Sequence, residues 1–211
     1  CHTRIHGSGR TDAGVHANGQ VFHCDAPWGH GAEALKKALN NRLPQDIQVL
    51  AVNKASPSFH ARISATGKRY VYRASEGAAL PMELRYRHSL PDRKLDLDAM
   101  REASRFLLGE HDFTSFAASC GTPSDEYPVK RLWRLDVVRA GKRLAFTVEG
   151  SGFLYKMVRS LSGTLFKVGR GRLAPSQVKE ILDSRQRTSL VVTAPPQGLC
   201  LEKVFYRKKG S

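Results

Sequence analysis

The chain has 211 residues, 41% of them hydrophobic, with 34 Lys and Arg against 19 Asp and Glu and a formal net charge of +15. The hydrophobic share excludes a disordered tail and supports a packed core, and no apolar run approaches the roughly 20 residues of a membrane-spanning helix. The cationic excess favours a polyanionic partner, nucleic acid first. An anionic membrane surface is the rival, but no amphipathic helix combines a basic face with an aromatic one.

The opening "CHTRIHGSGR" has neither Met nor an apolar leader, so the native start is expected further upstream. Cysteines stand at positions 1, 24, 120 and 200 with no CxxC pair, which reads as reduced intracellular thiols rather than a disulfide frame. His2, His6, His16, His23 and His60 crowd the first third, yet no Cys/His spacing matches a zinc module, and no metal is expected.

"HGSGRTDAGVHANGQ" (6–20) holds one carboxylate, Asp12, among glycines. An Asp before Ala-Gly is an ordinary turn or helix-cap residue. It is also a candidate catalyst. Arg10 can hold it ionised, since a close cation lowers an Asp pKa by roughly 1–3 units, and Gly7, Gly9 and Gly14 let a ligand approach. As a phosphate loop the segment fails, because it has no GK[ST] ending. As a phosphoryl-accepting site it lacks a second acid for magnesium.

"GQVFHCDA" (19–26) alternates as a short strand, "GAEALKKALNNRLP" (31–44) reads as a helix with Leu35, Ala38 and Leu39 on one face, and "DIQVLAVNKAS" (46–56) reads as a second strand. Strand, helix, strand is half of a ferredoxin-like unit, whose other half is expected upstream of Cys1. The chain therefore divides into an N-terminal remnant, 1–53, carrying the Asp12 loop, and a larger α+β part, 54–211.

In the larger part, "GKRYVYRAS" (67–75) is a strand with Tyr70 and Tyr72 on one face and Arg69, Val71 and Arg73 on the other. The tyrosines are either a core pair or a stacking platform for a base beside phosphate-binding arginines. "LDLDAMREASRFLLG" (95–109) is a helix with acidic residues at its start and Gly109 past its end. "KRLWRLDVVRAGKRLAFTVEG" (130–150) is a hairpin turning near Gly141, with Trp133, Leu135 and Val137 on one face opposed by Leu144, Phe146 and Val148. "FLYKMVRSLSGTLFKVG" (153–169) is a helix whose stripe is Leu154, Met157, Val158, Leu161, Leu165 and Val168. Arg159 flanks that stripe with Tyr155 and Ser162, and an arginine at a core edge needs an acceptor, either carboxylate or phosphate. "APSQVKEILDSR" (174–185) is a further helix with Pro175 in its first turn, and "QGLCLEKVFYRK" (197–208) a last strand. The order implies an α+β fold: an antiparallel sheet with helices on one face.

"GRTDAGVHA" (9–17) resembles the catalytic motif of the bacterial-type tRNA pseudouridine synthase A family. The similarity continues through "FHARISATGKRYVY", "LLGEHDFTSF", "FLYKMVRSLSG" and "QGLCLEKV", in order over nearly the whole chain. Eukaryotic relatives usually carry Lys in place of Ala13, so the resemblance is to the bacterial or organellar branch. It implies a pseudouridine-synthase-like fold of two ferredoxin-like halves with a central cleft. By the same resemblance Asp12 is the catalytic aspartate, Arg10 its motif arginine, and Arg159 faces the carboxylate. Tyr70 stacks on the target base and Leu199 lies against the base pocket. His16, Arg62, Lys68 and Arg69 are further substrate-binding residues. The implied reaction isomerises uridine to pseudouridine in the anticodon arm of tRNA. It breaks the C1′–N1 bond and remakes it to C5 with no redox change or energy input, so no cofactor is required. The uridine must first leave its stack. The resemblance also implies a homodimer. A non-catalytic RNA-binding member of the family is the alternative, and a phosphate-binding hydrolase a remoter one.

Overall fold

The computed structural model describes residues 3–90, 94–118 and 127–206. Cys1, His2 and Cys120 lie outside the described residues; Cys24 and Cys200 are free thiols. The chain divides into two compact units, one running to Ser8 and again over Val21–Ser64, the other made of Gly9–Gln20 and the chain from Ala65. The loop that carries Asp12 thus packs with the larger unit, and the break in packing falls after Ser64 rather than at 53/54.

The smaller unit contains β1 (His6–Gly7), β3 (Phe22–His23) and α1 (Ala32–Asn40); the intervening β2 (His16–Ala17) belongs to the larger one. β1 and β3 pair antiparallel, His6 opposite His23. Their rings stack at 5.0 Å, and His60 closes on His23 at 4.6 Å. The Nδ1 atom of His23 accepts the Ala61 N–H at 3.1 Å, which ties the ladder to the turn at residues 60–64. α1 carries the expected apolar positions, but none of its residues is buried. The strand expected over 46–56 does not form a ladder. Those residues are held to α1 by Asn40, whose Nδ2 donates to Val49 O at 3.0 Å and whose Oδ1 accepts from Val49 N at 2.7 Å. A strand exists only where another completes its hydrogen bonds, and among the described residues none lies alongside, so Ile47 and Leu50 stay exposed.

The larger unit is built on a seven-stranded sheet. Its long members are β4 (Ala65–Glu76), β7 (Val129–Ala140), β8 (Arg143–Gly150) and β9 (Leu199–Tyr206), joined by β5 (His88–Leu90), β6 (Gly109–Asp112) and β2. The order is β2-β9-β4-β8-β7-β6, with β5 beside the far end of β4. The spine from β9 to β6 is antiparallel, as expected. The sheet as a whole is mixed, because β2 joins β9 and β5 joins β4 in parallel. These additions are two and three residues long, too short to leave an alternating pattern in the sequence.

The β7–β8 hairpin turns at Gly141, whose φ is 60°. Its register jumps between Leu132 and Arg134, a bulge that changes which side chains face inward. Leu132, Leu135 and Val137 are buried, whereas Trp133 is 45% exposed on the other face. This corrects the expected Trp133, Leu135, Val137 face; strict alternation cannot continue across an inserted residue.

Among the described residues the unit also holds the α-helices α2 (Leu97–Arg105), α3 (Met157–Gly169) and α4 (Pro175–Ser184). α2 starts at Asp96, whose carboxylate accepts the Ala99 N–H at 3.0 Å. α4 begins with Pro175, as expected. α3 is the central helix, and all six residues of its expected stripe are buried. Phe166 on α3 meets Phe146 of β8 at 5.0 Å and Tyr72 of β4 at 5.8 Å. Such pairs add about 0.5–1.5 kcal/mol each beyond the area they bury. Tyr72 is therefore a core residue, fully buried, with its hydroxyl donating to Pro195 O at 2.9 Å.

Candidate active site

The Asp12 loop is shaped by its own turn. Asp12 O accepts the Val15 N–H at 3.0 Å, and Gly14 takes φ 81°. A left-handed third residue is the signature of a type II turn, and glycine meets it without steric cost. β2 follows at once and is seated on β9, His16 opposite Cys200 and Ala17 opposite Leu201. Asn18 and Gly19 both donate their N–H to Leu201 O, at 2.9 and 3.1 Å. The Asn18 side chain donates to Glu202 Oε2 at 3.1 Å. So residues near the start of the chain are anchored to a strand near its end.

Arg159, in the first turn of α3, reaches this loop. Its Nη1 donates to Asp12 Oδ2 at 2.5 Å, with side-chain exposures of 11% and 20% for the arginine and the aspartate. Its Nε donates to Ala194 O at 2.8 Å. One edge of the guanidinium is thus fixed by the backbone while the other holds the carboxylate. Asp12 Oδ1 has no hydrogen bond from the described residues. A half-buried carboxylate with one oxygen held by a cation and the other unengaged can act as a nucleophile or as a base. The cation that faces Asp12 is Arg159, not its neighbour Arg10. Arg10 is exposed and makes no ion pair among the described residues. A chain neighbour two positions away was the obvious partner from sequence, but the extended loop points it outward.

Tyr70 is 8% exposed and shares the helix-covered face of β4 with Tyr72. Its ring meets the edge of Phe153 at 5.2 Å. Its hydroxyl is pushed up to about 12, by burial first and then by the negative charge of Asp12 and by Cys200. Tyr70 therefore stays neutral at physiological pH and sits within the electrostatic reach of the carboxylate. Leu199 is buried opposite Tyr72 in the β9–β4 register, two pairs along from Tyr70 and Leu201, with Val71 and Cys200 between. Lys68 lies against Gly9 at the start of the Asp12 loop.

The other candidates are placed differently. Arg69 is on the opposite face of β4, where its Nε donates to Glu149 Oε1 at 2.8 Å. Burial alone would raise the Glu149 carboxyl, but hydrogen bonds from Trp133, Arg134 and Arg69 outweigh it and hold it below the usual range. Arg73 pairs with Glu202 at 2.6 Å on that same side. His16 is beside the loop, its Nε2 at 2.8 Å from Arg85 O and its ring 4.7 Å from Tyr86. Arg62 belongs to the smaller unit and is exposed. Two features of the site were not legible in sequence. One is Phe153, which precedes the helix. The other is the pair of successive carbonyls, Ala194 and Pro195, that receive Arg159 and Tyr72. A backbone acceptor leaves no residue-type signal; only the run "TAPPQG" marks the segment as irregular.

Comparison with known proteins decides the family. A family profile described as tRNA pseudouridine synthase matches residues 103–207. A tRNA pseudouridine synthase A of Geobacillus kaustophilus is 42% identical over 203 residues, covering 96% of this chain and 78% of the relative. The protein of the same name from Bacillus pumilus is 44% identical over 200 residues, covering 94% and 80%. The chain belongs to the tRNA pseudouridine synthase A family. Membership also agrees with the α+β fold and its large sheet. A third member, from Paramagnetospirillum magneticum, is 42% identical over 209 residues, covering 98% of this chain and 80% of its own. Among the described residues, no helix is long and apolar enough to cross a membrane.

Proposed function

We propose that this chain isomerises uridine to pseudouridine in the anticodon arm of tRNA, with Asp12 as the catalytic carboxylate. The observation that carries the reading is the Asp12–Arg159 pair beside Tyr70, in a member of a uridine-isomerising family. Asp12 Oδ1 acts at the sugar, as nucleophile at C1′ or as base. Arg159 keeps the carboxylate oriented and its charge compensated while the C1′–N1 bond breaks and the C1′–C5 bond forms. Tyr70 offers its ring to the flipped base, and Leu199 borders the pocket. Lys68 and His16 lie near enough to the loop to meet the flanking backbone. Arg62, Arg69 and Arg10 contribute to the sequence-independent hold on phosphates that a charge of +15 supports. The protein works inside the cell, as a homodimer.

The reaction changes connectivity only, so neither metal nor cofactor enters it. The test is to incubate the purified protein with transcribed tRNA, digest to nucleosides and separate them. A uridine isomer of unchanged mass, arising in the anticodon arm and formed equally in EDTA with the tRNA fold held by monovalent salt, is expected. Binding without product would make this an RNA-binding member of the family instead. Product that requires a divalent ion would contradict the mechanism.

A further inference from the structure

Arg187 is far from Asp12 in sequence and touches neither the aspartate nor Arg159. It lies just beyond α4, where the chain turns back toward β9. Its guanidinium makes three contacts. Nη1 donates to Ser160 Oγ at 3.0 Å and to Ala117 O at 3.3 Å, and Nη2 donates to Thr193 Oγ1 at 2.8 Å. Ser160 and Thr193 are themselves 3.3 Å apart, so the fork closes a triangle. Ser160 follows Arg159 on α3, and Thr193 precedes Ala194. Each member of the triangle beyond Arg187 is thus one residue from a member of the Arg159 clamp. The clamp is two-way, with Ala194 O receiving Arg159 Nε at 2.8 Å and Ala194 N donating to Arg159 O at 3.0 Å.

The same stretch is seated along α3 at two further points. Lys167 Nζ donates to Ser189 O at 3.1 Å and to Leu190 O at 3.0 Å. Gly163 gives room for the backbone, since a Cβ there would stand 2.0 Å from Val192 O. Ser160, Gly163 and Lys167 share one side of the helix, at the spacing of successive turns. The segment 189–194 is therefore laid on α3 as a strap, and Arg187 ties the end nearest the active site.

We propose that Arg187 is a positioning residue: it fixes Thr193 and Ser160 so that the Ala194 carbonyl holds the Arg159 guanidinium in line with Asp12. This rests on the reading of Asp12 and Arg159 as the catalytic pair. A planar fork reaches Ser160 and Thr193 from two separate nitrogens in a fixed geometry, which a single ammonium nitrogen does not reproduce. Release of Thr193 would let Ala194 move, and Arg159 would lose the backbone edge that aims it. A misplacement on the order of 1 Å at a reacting group costs about 100-fold in rate.

The experiment measures single-turnover rate and tRNA affinity for Arg187→Ala and Arg187→Lys, each in the native chain and in an Arg159→Lys background. Thr193→Val, which removes the acceptor with little change in shape, runs beside them and stands in if Arg187→Ala does not fold. The expectation is a rate about 10- to 100-fold lower for Arg187→Ala, with affinity within about threefold. Arg187→Lys should recover only part of the rate, and Thr193→Val should follow Arg187→Ala. With Arg159 already replaced, the further loss should shrink to less than about threefold, because residues that act through one another are not additive. An unchanged rate in Arg187→Ala and Thr193→Val overturns the inference. So does an equal fold-loss in both backgrounds, which marks a merely structural role. Asp12→Asn is the control for the underlying reading. If it turns over normally, that reading falls and takes this inference with it. If it is dead while Arg187→Ala is unaffected, the inference alone falls.

Discussion

At the scale of single residues, the site turns on how one carboxylate is held. Arg159 spends Nη1 on Asp12 and Nε on Ala194 O. A lysine there could keep the charge but not both contacts. Arg159→Lys should therefore lower the single-turnover rate by about 100-fold while leaving tRNA affinity within about threefold; equal losses in rate and affinity would show that Arg159 holds RNA instead. Tyr70 presents a ring whose hydroxyl stays neutral, being pushed up to about 12 by burial, Asp12 and Cys200. Stacking on a base is worth about 1–3 kcal/mol and needs the ring alone. Tyr70→Phe should accordingly keep most of the turnover and Tyr70→Leu should lose about tenfold or more. Identical behaviour of the two variants would remove the stacking role. Both tyrosines of "YVY" looked equivalent in sequence. The structure separates them by two residues along one face of β4, which puts Tyr72 under Phe166 in the core and leaves Tyr70 at its margin.

At the scale of elements, the strap on α3 gives the sharpest prediction. In Gly163→Ala the new methyl would meet Val192 O, a backbone atom that cannot swing aside. Overpacking of this kind costs about 1–3 kcal/mol, so the urea midpoint should fall and turnover should fall with it; a variant as stable and active as the parent would mean that the strap is not seated as described. The long strands and α3 were legible because each carries enough periods of its pattern for burial to dictate it. The stripe on α3 and the turn at Gly141 follow directly from sequence. The bulge at Trp133 was not legible, since an inserted residue is invisible to a pattern of period two. Nor was the parallel seat of β2 on β9, where two residues near one end of the chain find their partner near the other. That pairing, and the Asp12–Arg159 bond beside it, are products of topology. Arg10 is the cation nearest Asp12 in sequence, whereas Arg159 stands out as a core-edge arginine in need of a carboxylate or phosphate, and it is Arg159 that meets Asp12. The strand expected at 46–56 has the composition of a strand without the neighbour that would make it one.

At the scale of the whole molecule, charge and protonation set the conditions under which the site works. A net charge of +15 predicts that tRNA affinity falls by at least about tenfold between about 50 and 200 mM monovalent salt. A flat salt dependence would remove the electrostatic argument for a nucleic-acid partner. His88 on β5 lies near Tyr72 and Phe166, and its pKa is lowered by burial and then by Arg170. With the folded value depressed, the unfolded chain takes up the proton first as pH falls through about 6.5. Stability is then fully present above that pH and lost below it. The urea midpoint should drop between pH 7.5 and 5.5, and His88→Gln should flatten that drop; an equal drop in both proteins would place the acid sensitivity elsewhere.

The proposed isomerisation rests on one carboxylate, Asp12. Forming the C1′–C5 bond expels the hydrogen at uridine C5, so tRNA transcribed with tritium at that carbon reports each turnover as label released to water. With Asp12→Asn, which keeps the side chain's size but removes its charge, this mechanism gives no release above the protein-free background while tRNA still binds within about threefold of the parent. Release at the parent's rate by the Asp12→Asn protein would contradict it.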